Sequence, residues 1–72
     1  MSVEIRYCPV RSGYDRRAAS LAAELTDEGF DAAIQPGRAG QFDVISDGEL
    51  VFSKQQVKRF PEPGEVLALL QG

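Results

Sequence analysis

Cys8 is the one thiol in the chain, and it stands in the run Tyr7-Cys8-Pro9-Val10-Arg11-Ser12-Gly13. Three side chains of this run carry chemistry. A cysteine thiolate is a nucleophile and a metal ligand. Arg11 offers a fixed positive charge to a thiolate or to a carboxylate ligand. Ser12 offers a hydroxyl, either to a ligand or to the first turn of a helix. Counting sets the limits. One thiol closes no internal disulfide and builds no cysteine-rich zinc site. Dithiol exchange needs an attacking thiolate and a resolving thiol in one active site, so no such cycle runs within a single chain. Histidine is absent, which removes histidine-dependent triads, Cys-His dyads and histidine-containing metal sites from this chain.

Two readings of Cys8 stand. In one it forms mixed disulfides with glutathione or a protein, resolved by an external thiol, and glutathione is the co-substrate. In the other it is a buried cysteine without turnover, cysteine being among the residues most often found inside. No metal and no other cofactor is expected. Arg11 is correspondingly an anion anchor or a solvated loop residue. Tyr14 reads as a core residue rather than a catalytic acid. Lys54, Lys58 and Arg59 form a small basic cluster, which is a solvated loop or a dock for an acidic partner.

The elements that must hold Cys8 are legible from periodicity. Val3-Glu4-Ile5-Arg6-Tyr7 alternates apolar and polar, as a strand with one buried face does, and Pro9 ends it. Ser12 followed by Asp15 reads as a helix start resembling a capping box. Tyr14, Ala18, Leu21, Ala22 and Leu25 then form one apolar stripe, and Gly29 suits the helix end. Phe30 to Ile34 is a second strand, so strand, helix and strand make a right-handed parallel unit. Pro36-Gly37-Arg38-Ala39-Gly40 is a loop. Gln41–Ile45 and Glu49–Ser53 are a hairpin around Asp47-Gly48. A three-residue turn is preferred there. It pairs Val44 with Leu50 and Phe42 with Phe52, and leaves Ile45 and Val51 outside as a modest apolar patch near Ala33. Lys54 to Arg59 connects to a last short helix whose buried side is Val66, Leu67, Leu69 and Leu70. The order β-α-β-β-β-α predicts a two-layer α/β sandwich: a four-stranded mixed sheet with both helices on one face.

Composition agrees. Seventy-two residues, 43% hydrophobic and 26% charged, make one small folded domain spanning 1–72. The net charge of −3 argues against nucleic acid as partner. No apolar run is long enough to span a membrane. The N-terminal residues lack the pattern of a secretory signal, and a lone thiol suits a reducing compartment, so a cytoplasmic location is expected.

The chain resembles the selenoprotein W-like, or Rdx, family. The resemblance rests on Tyr7-Cys8, Gly13-Tyr14, Phe42-Asp43-Val44, Asp47-Gly48, Ser53-Lys54 and Arg59-Phe60-Pro61, in that order along nearly the whole chain. It implies a thioredoxin-like fold and a role in cellular redox biology with an unidentified protein partner. Members carry C-x-x-C or C-x-x-selenocysteine between the first strand and the first helix. Carried over, the first position is Cys8 and the second is Arg11, so the second redox residue is lost. The region also runs one residue longer than in a typical member. The thioredoxin-type cis-proline has no counterpart, since Pro36 lies five residues before Gln41. The expected function is a non-catalytic or regulatory redox-linked module. The alternative is a monothiol protein acting through Cys8, with Arg11 and Ser12 as binding residues.

Overall fold

The computed structural model describes residues 2–72. The order is β1 (Ser2–Tyr7), α1 (Tyr14–Asp27), β2 (Asp31–Pro36), β3 (Phe42–Ser46), β4 (Glu49–Ser53), α2 (Lys54–Val57) and α3 (Glu65–Gln71). The strands form one sheet in the order β2-β1-β3-β4. β1 is parallel to β2 and antiparallel to β3, and β3 is antiparallel to β4. The expected mixed four-stranded sheet is therefore present. No described peptide bond is cis, and no described helix is long and apolar enough to cross a membrane.

The α1 stripe forms the core as its spacing requires. Ala18 and Leu25 are wholly buried, and Tyr14 and Leu21 nearly so. They cover Val3, Ile5, Phe42, Val44 and Phe52 of the sheet. The end of α1 is a Schellman motif. Phe30 N–H donates to Leu25 C=O at 3.0 Å and Gly29 N–H to Thr26 C=O at 3.0 Å, which satisfies carbonyls that the last turn leaves open.

Five local readings are corrected. Ser12 does not cap α1. Gly13 occupies the cap with φ 87°, no side chain bonds the first turn from that position, and Ser12 lies outside it, exposed. β2 runs on to Pro36, which pairs with Tyr7. Gly37 N–H donates to Tyr7 C=O, so by alternation the nitrogen of Pro36 points to the open edge, where a missing N–H costs no ladder bond.

The hairpin turn has two residues. Asp47 (φ 50°) and Gly48 (φ 86°) are both left-handed, the geometry that Asp-Gly accepts in a type I′ turn. Ser46 pairs with Glu49 and Ile45 with Leu50. One residue of β4, Val51, then bulges, and Val44 faces Phe52. The bulge returns Phe52 to the core but leaves Leu50, 45% exposed, on the outer face beside Ile45 in place of Val51.

The connector after β4 contains a turn of helix, α2, ended by Lys58 at φ 68°. Last, Leu69 is 49% exposed. On α3, Val66, Leu67 and Leu70 cluster on one side, and a residue three after Val66 is rotated about 60° the other way.

Arg59 and Glu65 hold the segment before α3. Their two contacts measure 2.7 and 2.9 Å, and Glu65 also accepts the Glu62 N–H at 2.8 Å. The Arg59 side-chain bond and the Glu62 N–H hold the Glu65 carboxyl down at about 2. A carboxylate lowered on folding stabilises the fold above its ordinary value of about 4.3 and loses that contribution as pH falls toward its folded value. The stability gap between the native chain and Glu65→Gln is therefore expected to narrow from pH 7 toward pH 2 in urea melts. A constant gap would show that the pair is not a pH-linked contact. Leu25→Ala is expected to cost about 2–5 kcal/mol in the same melts, and a negligible loss would contradict the packing described.

Candidate functional site

The candidate site lies where β1 hands over to α1. Cys8 follows the last residue of β1, and its N–H donates to Gln41 C=O at 2.8 Å. That bond ties the end of the strand to the loop before β3. The residue is wholly buried and its thiol is free. Burial is the largest single influence on the thiol and pushes it up. The nearby backbone N–H groups of Gly40, Val10 and Arg11 push the other way, and the Arg11 charge adds to them. Together they win, and the thiol rests below its ordinary value.

Backbone from two separate loops comes near this sulfur because the chain folds back on itself. Pro9 ends the strand, and residues 9–13 turn into α1 through the left-handed Gly13. From the other side the loop 37–41 brings Gly40, also left-handed at φ 76°. A Cβ built on Gly40 would lie 3.8 Å from Arg11 Nε and 3.8 Å from Gln55 Nε2. The Arg11 guanidinium therefore lies alongside Gly40, close above the junction.

Arg11 and Cys8 thus lie at the same junction. Ser12 is not part of the arrangement. Tyr14 belongs to the core, edge-on to Phe42 at 6.4 Å and to Phe60 at 4.9 Å between ring centroids. The basic cluster is only partly as expected, because Arg59 is committed to Glu65 while Lys54 and Lys58 remain. These two line an open basin of about 330 Å³ with Arg11, Tyr14 and Gly40.

Three contributors were missed in the sequence. The Gly40 backbone helps to lower the thiol, Gln41 anchors the Cys8 backbone, and Phe60 packs edge-on to both Tyr14 and Phe42. Only Gly40 carried a signal, as a glycine permits close backbone approach. No group of three or more metal-ligating side chains is gathered among the described residues.

A parallel β1–β2 pair, an antiparallel hairpin and helices packed on one face, with a thiol at the β1–α1 junction, define a thioredoxin-like fold that carries a single sulfur. The crystal structure of a selenoprotein W-related protein from Vibrio cholerae is similar, with a TM-score of 0.85 at 24% identity over 97% of this chain and 91% of that one. That likeness supports the fold. Residues 2–72 match the Rdx family, and the chain belongs to it. No curated protein matches the chain.

Arg11→Gln removes a positive charge that favours the thiolate, so the Cys8 titration midpoint is expected to rise. The 13Cβ shift of labelled cysteine followed against pH reads this without needing reagent access. A midpoint that stays put or falls would show that the guanidinium does not act on the sulfur.

Proposed function

We propose that the protein is a redox-linked interaction module of the Rdx family, working through contact with a protein partner while its single thiol stays sheltered. The burial of Cys8, which leaves none of the residue exposed, carries this reading. Disulfide exchange requires a second sulfur to approach the first along the bond being broken, and a covered atom offers no such line. The thiol count agrees, as no resolving thiol exists in the chain. A reducing compartment, the cytoplasm, suits a free thiol of this kind.

The donor bed around the sulfur favours a second reading. In it, residues 9–13 or the loop 37–41 open and expose the thiolate. The thiolate attacks the disulfide of oxidised glutathione, a Cys8–glutathione disulfide forms, and one glutathione leaves as its thiolate. The thiolate of a further external thiol then attacks the glutathione sulfur of the mixed disulfide, forming a new disulfide between that thiol and glutathione while Cys8 leaves as its thiolate. Arg11 would hold a carboxylate of the bound tripeptide.

Intact mass after iodoacetamide, across a pH series with and without urea, separates the two. The sheltered module is expected to label slowly in buffer and fast when unfolded, and to take up no glutathione from its oxidised form. Fast native labelling well below the pH of a free cysteine, with one glutathione added, would overturn it in favour of the monothiol reading.

A further inference from the structure

The charges of this acidic chain are sorted along its length. β1, β2 and α1 fix two ends: one holds the β1–α1 junction, the other the hairpin turn and the end of α1. The eight Lys and Arg residues lie toward the junction end, from Arg6 near the end of β1 to Arg59 before α3. Asp27, Glu28, Asp31, Asp47 and Glu49 lie at the other end, while Asp15, Asp43, Glu62 and Glu65 share the junction end and leave it with a smaller positive balance. The 14 residues of α1 run between these ends, a length of about 20 Å, roughly twice the screening length of about 8–10 Å in physiological salt. Each end therefore presents its own sign to an approaching molecule, although the net charge is only −3.

Among the described residues, two cations are paired within the fold, Arg6 with Glu4 and Arg59 with Glu65. Arg11, Arg17, Lys54 and Lys58 have no carboxylate partner. Two of them are held by aromatic rings. The Arg17 guanidinium lies 4.2 Å from the centre of the Phe60 ring, and Lys54 Nζ lies 5.2 Å from Phe60 and 5.8 Å from Tyr14. Stacking on rings that are themselves locked edge-on to Phe42 limits the freedom of these long side chains. Little of it then remains to be lost on binding. Lys54, Lys58 and Arg11 border one shallow basin with Tyr14 as part of its wall.

We propose that this face docks an acidic segment of a partner protein, laid across the basin from Arg11 to Lys54 and Lys58, with Arg17 at its margin. The basin is open, whereas small-ligand sites enclose most of their ligand. An extended chain with spaced carboxylates fits a row of separate cations better than one compact anion does. Nucleic acid fits less well. Base stacking needs free aromatic faces, while Tyr14 is nearly buried and the Phe60 ring is occupied by Lys54 and Arg17. The proposal is independent of the chemistry of Cys8.

A labelled, thiol-free, glutamate-rich peptide followed by fluorescence anisotropy tests it on the native chain. Binding is expected at low salt, weakening by about tenfold or more toward physiological salt as screening shortens. Lys54→Glu and Arg11→Glu are each expected to weaken it several-fold. Arg16→Glu makes the same change of net charge on an exposed position outside the basin and is expected to leave affinity within about twofold. Arg11 is exposed and bears on no core contact, so its variant stays informative if Lys54→Glu destabilises the fold. Absence of binding, an equal loss in Arg16→Glu, indifference to salt, or tighter binding of a single-stranded oligonucleotide of equal charge would each overturn the proposal.

Discussion

One strand is buried from both flanks, and the rest of the structure is arranged around it. β1 lies between a parallel neighbour and an antiparallel one. Val3 and Ile5 carry no meaningful exposure. A sheet covered on one face only has a single layer of core to share, and α1 supplies most of the cover. The parallel β1–β2 pairing obliges α1 to cross over that face and to begin beside the C-terminal end of β1. The position of Cys8 is thus a result of topology. The residue after β1 is enclosed because the chain turns there, and its backbone is fixed by Gln41 from the neighbouring loop.

That geometry gives the thiol two opposed properties. The backbone donors that line a strand-to-helix turn favour a thiolate, while the same close approach of backbone leaves it no opening. Arg11 lies in this turn and places a cation there. The distribution of Lys and Arg over the whole chain favours the same end.

The parts of the fold that follow from periodicity were legible in the sequence: the strand ladder of β1, the α1 stripe from Tyr14 to Leu25, and the hairpin around Asp47-Gly48. The misread parts depend on backbone events with no side-chain period. The bulge at Val51 shifts pairing by one residue and reverses the sides of Leu50 and Val51, yet neither residue type announces it. Gly13 takes the cap that Ser12 was expected to fill because a left-handed turn follows Arg11. At the site, Cys8 and Arg11 were readable as types at a spacing. The contributions of Gly40 and Gln41 are backbone atoms brought from another loop, and no sequence pattern marks those. Phe60 entered only through the resemblance, because a lone aromatic before two prolines has no period that assigns it to the core.

The Arg59–Glu65 pair has a consequence for motion. Beyond β4, Val66 is the one residue that is fully enclosed, with Phe60, Leu67 and Leu70 only partly covered. The closing segment is therefore held by one guanidinium–carboxylate clasp and a thin apolar seam. Such a unit detaches at lower free energy than the sheet and α1, as a separate cooperative piece. When it lifts, Phe60 leaves Tyr14 and Phe42, and the ring that orders Arg17 and Lys54 goes with it. The C-terminal flap is in this sense a dimmer on the cationic end: amide exchange in residues 59–71 and the definition of that surface rise and fall together.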